Sequence, residues 1–368
     1  MPELMKNKYY NYKSLHALAL RIKSVYPLFQ TDAFMGDIMD ETFDALELKA
    51  RMRKVTVNLG KHLPHDYEQA LGVIDQVVAG FPVGFNDFSL MCFPDFVDVF
   101  GQDECHLELS IAALERYTSS SSSEFAVRAF IIKHEVRMMQ QMVVWARHDN
   151  EHVRRLASEG CRPSLPWAQA LPRFKKDPSP VLSILEQLKA DPSLYVRKSV
   201  ANNLNDISKT HPELVVKTAR DWYGKNKDTD WIVKHGCRTL LKKGNRDALA
   251  IFGFRDADGV DIDGFILSAS SVFMGEALSF SFAISGKETT KVRLEYGVDY
   301  VKANRKHSRK IFQIAEITLK KNQEKRYTKT HAFGDLSTRK HYPGIHNITL
   351  IVNGTERGTL DFEVLAAQ

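Results

Sequence analysis

The chain has 368 residues, enough for two or three domains, and its 43% hydrophobic and 26% charged residues are typical of a globular protein. No apolar run approaches the roughly 20 residues that span a bilayer, and the N-terminus lacks the features of a signal peptide, so we expect a cytoplasmic protein without membrane contacts. The formal net charge is +6, and residues 302–340 hold 12 Lys and Arg against 3 acids, which suits a polyanion such as DNA or simply a solvated basic surface.

The four cysteines, Cys92, Cys105, Cys161 and Cys237, are widely scattered. None forms a CxxC pair or joins a Cys and His cluster with zinc spacing. We therefore interpret them as reduced, structural residues.

Up to about residue 248 the pattern is helical. The segments LHALALRIKSVYPLF, FDALELKARMRKVTVNL and YEQALGVIDQVV carry apolar residues three and four apart, which predicts amphipathic helices. Segments of 10–20 residues are separated by Gly, Pro, Asn and Asp, and we predict no strand in this part.

An internal repeat lies in the middle of the chain. EHVRRLAS, LYVRKSVA and WIVKHGCR each place an apolar-basic pair at the same point, beginning at Val153, Val196 and Val233, with spacings of 43 and 37 residues. FAVR, residues 125–128, is a weaker copy. A further helical segment separates the copies, and two helices in roughly 40 residues is the signature of HEAT-like repeats.

Aligning the repeats on their Val predicts a polar stripe. Offsets of two, six and ten residues share one helix face, which carries Arg155, Lys198, His235, Glu159, Asn202, Thr239, Asp206 and Lys243. The opposite face is predicted to enter the core and carries Val153, Leu156, Ala157, Val196, Val200, Asn203 and Ile207. Stacked repeats would line these stripes on one, commonly concave, binding surface.

Two acids of the stripe are predicted near helix C-termini. Glu159 precedes Gly160, a candidate for the residue that follows the helix, and Asp206 lies in a last turn. A carboxylate there opposes the helix dipole by about 0.3–1 kcal/mol. Arg155 is a candidate partner for Glu159, and Lys198 or Asn202 for Asp206. The alternative is an ordinary surface acid paired with the base four residues earlier.

Glu124 and Trp167 can each be explained either by a functional role or by local structure alone. Ser123 is a natural N-cap, so an acid in the following first turn is explained without function. Pro163 and Pro166 predict a stiff turn that presents the Trp167 ring in a set direction, although a plain core residue is the alternative.

From about residue 254 the pattern alternates with period two and is rich in Val, Ile, Thr, Phe and Tyr. The residues Val352, Asn353, Gly354 and Thr355 predict a hairpin turn. Some seven short strands fit a β-sandwich at residues 254–368, after a helical-repeat solenoid at residues 1–250, with the boundary near Gly253.

Several motifs resemble the AlkC class of bacterial DNA alkylpurine glycosylases, which are relatives of the AlkD HEAT-like repeat enzymes. The motifs are LELKAR at 46–51, SEFAVR at 123–128, HVRRLASEG at 152–160 with RP at 162–163 and LPW at 165–167, and DPSLYVRKSVANNLNDIS at 191–208. The resemblance covers the helical part and extends to the C-terminal part, where some members carry an immunoglobulin-like module. It implies a catalytic, DNA-binding solenoid and a sandwich that contacts DNA.

The resemblance also implies an activity: excision of the cationic lesions N3-methyladenine and N3-methylcytosine from double-stranded DNA, in base excision repair. The implied site is Glu124, Glu159, Trp167 and Asp206, with Asp206 positioning water and stabilising the sugar cation. The lesion would be reached without base flipping. No metal or redox cofactor is required, because a cationic base is already an activated leaving group. We expect a monomer, associated with the nucleoid through DNA.

The basic residues around this site are candidates for phosphate contacts: Arg154, Arg155, Arg162, Lys198 and Lys243 on the solenoid, and Arg305, Lys306, Arg309 and Lys310 on the sandwich. A basic loop is often only solvated, so the last four have this second interpretation.

For the whole chain, the alternatives are a non-catalytic HEAT scaffold that binds protein or nucleic acid, and a nuclease. A nuclease would gather carboxylates around Mg²⁺, which three acids beside a Trp fit less well.

Overall fold

The computed structural model describes residues 4–82, 87–335 and 340–366. Within these residues the helices are α1 (Met5–Tyr9), α2 (Tyr12–Val25), α3 (Thr31–Ile38), α4 (Leu48–His62), α5 (Tyr67–Ala79), α6 (Cys92–Phe100), α7 (Leu107–Tyr117), α8 (Val127–Lys133), α9 (Glu135–Trp145), α10 (Glu151–Gly160), α11 (Pro172–Lys176), α12 (Ser179–Leu188), α13 (Leu194–Ile207), α14 (Pro212–Trp222), α15 (Lys227–Gly236), α16 (Arg238–Lys242) and α17 (Arg246–Ile251). Short 3-10 helices lie at Phe43–Ala45, Phe88–Met91, Glu104–His106 and Ala257–Gly259.

The first two repeat helices, α10 and α13, form and pack as their sequence pattern predicts. The third repeat segment, predicted as one helix through His235, Thr239 and Lys243, is divided between α15 and α16 at Cys237. The Asn150 side chain accepts a hydrogen bond from the backbone N–H of His152 and so caps the start of α10. Helix α10 packs on α13 and α9, and α12 packs on α13. All seven residues assigned to the core face of α10 and α13 are buried, which confirms the predicted helix register.

The strands of the C-terminal part are β1 (Val260–Leu267), β2 (Ser271–Phe273), β3 (Ala277–Gly286), β4 (Thr290–Val301), β5 (His307–Leu319), β6 (Glu324–Ala332), β7 (Gly344–Val352) and β8 (Thr355–Leu365). They form two sheets with the strand orders β1-β3-β6 and β2-β8-β7-β4-β5, antiparallel except where β2 runs parallel to β8. The predicted sequence of helical repeats and then an immunoglobulin-like sandwich is confirmed, with eight strands in the described residues where about seven were predicted.

Alternating burial along the strands builds the sandwich core. Strand β3 buries every second residue, and its side chains join those of β4 and β7 in one apolar cluster. Asn353 and Gly354 join β7 to β8 with φ angles of 46° and 79°, as the primed hairpin turn requires. His346 of β7 is fully buried against the rings of Phe333 and Phe362, and this burial lowers its pKa.

The chain divides into two compact units. The first comprises the described residues up to Thr210 together with Asn226–Ile232, and the second comprises His211–Lys225 together with the described residues from Val233 onward. The domain bounds 1–250 and 254–368 are a prediction from the sequence. In the described parts of the chain, no helix is both long and apolar enough to cross a membrane.

Candidate active site

The C-terminal ends of α10 and α13 bring two acids together around one arginine in the first unit. Glu159 and Asp206 are each only 5% exposed. The Arg162 guanidinium donates from Nη1 to Glu159 Oε1 at 2.5 Å, and its Nε and Nη2 lie 2.8 Å from Asp206 Oδ2. Arg162 therefore holds both carboxylates, and their charges raise its pKa although burial alone would lower it.

A second arginine adds the third acid to this network. Arg155 Nη2 lies 2.5 Å from Glu124 Oε2 and 3.8 Å from Glu159 Oε1, and Nη1 donates to Ser122 Oγ at 3.1 Å. Its guanidinium also lies 4.9 Å from the centroid of the Tyr195 ring. Despite burial, the two carboxylates raise the pKa of Arg155. Glu124, Glu159 and Asp206 thus belong to one continuous chain of ion pairs.

The remaining carboxylate oxygens have different partners. Glu159 Oε2 accepts a hydrogen bond from Ser199 Oγ at 2.6 Å, inside the protein. Asp206 Oδ1 accepts one from Lys209 Nζ at 2.8 Å, and 49% of the Lys209 side chain is exposed. Glu159 is therefore enclosed on both oxygens, whereas one oxygen of Asp206 faces a group at the surface.

The end of α10 differs from the prediction. Gly160 is the last residue of α10 and is not a left-handed residue after it. A Cβ at this position would lie 2.7 Å from Val127 Cγ1, so close packing against α8 explains the glycine. Glu159 is not a surface acid either, since it is buried and held by Arg162 as well as by the predicted Arg155. For Asp206 the partners are Arg162 and Lys209 in place of Lys198 or Asn202.

The helix-start explanation of Glu124 is wrong. Helix α8 begins at Val127, and the Ser123 hydroxyl donates to the Leu114 carbonyl at 2.8 Å without capping that helix. Glu124 lies in the preceding turn, where it accepts from Ser122 Oγ at 2.9 Å and pairs with Arg155. Its place is thus set by the ion-pair network.

Trp167 lies on a braced loop and is 65% exposed, so the core-residue alternative is wrong. Its φ is 62°, a left-handed conformation that a residue with a Cβ adopts only when its surroundings impose it. Lys49 Nζ donates to the Trp167 carbonyl at 2.7 Å and lies 4.8 Å from the ring centroid of Phe125, the neighbour of Glu124. These contacts place the Trp167 loop beside the Glu124 turn.

Arg128 fixes the same loop from inside the protein. Its Nη1 donates to the carbonyls of Gly160 and Arg162, both at 2.9 Å, and its Nε donates to the Gln169 carbonyl at 2.6 Å. Burial lowers the pKa of Arg128 to about 10. One buried guanidinium therefore holds both ends of the loop that carries Trp167.

The predicted phosphate contacts of the helical part separate into two groups. Arg154 pairs with Asp191 at 2.6 Å and also donates to the carbonyls of His148 and Asp149. Arg155 and Arg162 are likewise occupied by the acid network, so none of these three arginines presents a free charge to DNA. Lys198 in the first unit and Lys243 in the second are exposed.

The basic residues of the sandwich also differ from one another. Arg309 is bound at both ends by Asp299, at 2.7 Å, and by Glu356. The acids hold its pKa above the ordinary value for arginine. Arg305, with a φ of 59°, and Lys306 lie in the exposed turn between β4 and β5, and Lys310 is exposed on β5. Arg305, Lys306 and Lys310 are available to a ligand, and Arg309 is not.

Comparisons with known proteins identify the family of the chain. A family model described as "DNA alkylation repair enzyme" matches residues 117–245, which include all four site residues. A second, "Uncharacterised protein YhaZ, C-terminal Ig-like domain", matches residues 261–366. The "Uncharacterized protein YhaZ" of Bacillus subtilis (strain 168) is 48% identical over 355 residues, which cover 96% of this chain and 98% of that protein.

Among solved structures, the alkylpurine DNA glycosylase AlkC of Pseudomonas fluorescens, bound to DNA containing an abasic site analog, aligns with a TM-score of 0.94. It is 36% identical, and the alignment covers 99% of this chain and 100% of that one. The chain belongs to the AlkC family. AlkD2 from Streptococcus mutans aligns over 61% of the chain and 98% of its own, with 21% identity and a TM-score of 0.34.

In this AlkC-family chain, sequence reasoning missed four residues that organise the site: Lys49, Arg128, Ser199 and Lys209. Only Lys209 left a local signal, because it follows Asp206 by three residues, the spacing of neighbours on a helix. In the described residues, no group of three or more His, Cys, Asp and Glu side chains is arranged to hold a metal ion.

Proposed function

We propose that this AlkC-family protein is a DNA glycosylase that hydrolyses the N-glycosidic bond of cationic N3-alkylated bases, N3-methyladenine and N3-methylcytosine, in double-stranded DNA. The observation that carries the proposal is the joining of Glu124, Glu159 and Asp206 in one network beside the Trp167 loop. The similarity to an alkylpurine glycosylase bound to DNA supports the same substrate class.

The chemistry needs negative charge more than it needs an acid catalyst. A base alkylated at N3 carries a positive charge and leaves as a neutral molecule, so its departure requires no proton. The deoxyribose becomes cationic as the bond breaks. A fixed carboxylate stabilises that charge and orients the water that attacks C1′. Asp206 suits this role because its Oδ1 is turned towards the surface residue Lys209.

The other residues act around Asp206. Glu159 is enclosed by Arg162 and Ser199, so it contributes a fixed charge and holds Arg162 in place. Glu124 is less buried and adds negative potential near Phe125 and Lys49. The exposed Trp167 ring offers a face to the sugar of the damaged nucleotide, an attraction of about 0.5–2 kcal/mol towards a cation.

Approach from the backbone side, without base flipping, is what the resemblance implies, and Trp167 is exposed and so accessible to DNA. We propose DNA contacts through Lys198 and Lys243 in the helical part and through Arg305, Lys306 and Lys310 in the sandwich, all of which are exposed. In this proposal residues 1–250 carry the catalytic site and residues 254–368 hold DNA.

A non-catalytic scaffold would gain nothing from burying three acids with their arginines, since buried ion pairs add little to stability.

The test is release of free N3-methyladenine and N3-methylcytosine from alkylated duplex DNA in the presence of EDTA. We expect release by the wild type, and loss of at least about 100-fold in Asp206→Asn, the size typical for removing one electrostatic group. DNA binding should change little, because Asn preserves the shape of the side chain.

The matched control is Asp228→Asn, an aspartate paired with Arg197 at 3.4 Å in the same unit but outside the network. This variant should release both bases at the wild-type rate. Absence of release by the wild-type protein would refute the proposed activity. Normal release by Asp206→Asn would refute the role of Asp206.

A further inference from the structure

Asp206 has two unequal oxygens. Oδ2 is bound by Arg162, whose side chain is 8% exposed and is also fixed to Glu159. Oδ1 is bound by Lys209, whose side chain is 49% exposed and donates to no other described group. The oxygen assigned to water and the sugar cation is therefore covered in this structure by a surface ammonium.

The charges of the network balance with Lys209 in place. The acids Glu124, Glu159 and Asp206 are matched by Arg155, Arg162 and Lys209. Arg128, which binds backbone carbonyls nearby, adds a further positive charge. With Lys209 bound, the positive charges therefore at least match the negative ones, and Lys209 is the cation on the oxygen assigned to the developing sugar cation. Departure of Lys209 would remove one positive charge from that oxygen.

Lys209 is the one cation of this six-residue network placed to leave. Helix α13 ends at Ile207, and Lys209 lies two residues beyond on an exposed segment with a flexible four-carbon stem. Arg155 and Arg162 each bridge two buried or half-buried acids, so moving either would leave a carboxylate uncompensated in the interior. A DNA phosphate is a strong alternative partner for an ammonium at the surface.

We propose that Lys209 masks Asp206 Oδ1 in the free protein and transfers to a DNA backbone phosphate on binding, which uncovers that oxygen for catalysis. The inference rests on the proposed function. It assigns Lys209 a positioning role and a phosphate contact, and it makes the negative potential at Asp206 dependent on bound DNA. Arg162 stays on Oδ2 and keeps the carboxylate oriented throughout.

The test compares Lys209→Met with wild type on alkylated duplex DNA. Single-turnover base release at saturating protein should be faster than in wild type, because Oδ1 is then permanently uncovered. The slope of log affinity against log salt should become less steep by about 0.9, the loss of one phosphate contact. Lys209→Arg should restore the wild-type slope.

The matched control is Lys189→Met, since Lys189 forms the same i, i+3 pair with Glu186 elsewhere in the first unit. Its salt slope and base release should equal those of wild type. An unchanged slope in Lys209→Met, or base release no faster than in wild type, would overturn the inference. The release comparison requires a wild-type enzyme that releases base, whereas the salt slope is measured by binding alone. Failure of the proposed function, in which the wild type itself is inactive, is therefore distinct from failure of this inference.

Discussion

Arg162→Met tests whether the acid network is as desolvated as its geometry indicates. Arg162 is the only described cation within 4.0 Å of both Glu159 and Asp206, and its side chain is 8% exposed. Met keeps an unbranched apolar stem for packing but is shorter and carries no charge. Asp206 retains Lys209, whereas Glu159 keeps only the 3.8 Å contact to Arg155 and the hydroxyl of Ser199. Most of the damage should therefore arise at Glu159.

The expected loss of unfolding free energy is about 3–5 kcal/mol, the usual effect of removing one partner from a buried ion pair. For a unit of this size, 1 kcal/mol corresponds to roughly 2–4 °C, so Tm of the first unit should fall by about 6–20 °C. Replacing the stranded acid as well, in Arg162→Met with Glu159→Gln, should recover part of this loss, because Gln carries no charge and still accepts from Ser199.

Thermal or urea unfolding of the full chain measures these differences. Arg173→Met is the control, since Arg173 pairs with Glu135 at 3.0 Å but is 82% exposed, and an exposed pair contributes less than about 1 kcal/mol. If Arg162→Met were as stable as this control, or if the second substitution lowered stability further, the network would not be desolvated and the electrostatic reasoning would be refuted.

Two further predictions follow from the loop and the sandwich. Arg128→Lys should slow base release at least about 10-fold by loosening the Trp167 loop, but should have no added effect in a Trp167→Ala background; additive losses in single-turnover assays would show that Arg128 does not act through Trp167. Burial lowers the pKa of His346, so its contribution to sandwich stability is present above pH 6.5 and is lost as pH falls below that value. His346→Gln should flatten this dependence in unfolding measured from pH 8 to 5, and an unchanged slope would contradict it.

Periodicity was sufficient to predict the helix faces and the order of the two folds. Aligning the repeats on Val153 and Val196 placed the buried face of α10 and α13 correctly, because a helix repeats every 3.6 residues whatever surrounds it. The same alignment assigned Glu159 and Asp206 to a polar surface stripe, but both are buried. The hairpin at Asn353 was equally local, since its backbone angles follow from two residues.

The connections within the site were not predictable in this way. Arg162 lies beyond the end of α10, where helical periodicity no longer applies, and its partner Asp206 is 44 residues away. Arg154 likewise pairs with a residue distant in sequence, Asp191, which lies 37 positions later. A basic residue has the same local sequence pattern whether its partner is a distant acid or a DNA phosphate. For this reason Arg154, Arg155 and Arg162 were predicted to contact DNA, whereas in the structure they pair with acids.

The stability of buried ion pairs bears on why these acids are present. A network of buried carboxylates and arginines is seldom more stable than apolar side chains of similar volume, because desolvation offsets most of the Coulomb attraction. Here Glu159 and Asp206 also stand at the C-terminal ends of α10 and α13, where the helix dipole opposes them. The desolvation of the acids and the opposing helix dipole are both unfavourable, and both occur close to two other unusual features. Trp167 has a left-handed backbone conformation, and Asp206 turns one oxygen towards the surface. Unfavourable charge placement and backbone strain, concentrated at one place, are typical of a catalytic site and not of a scaffold.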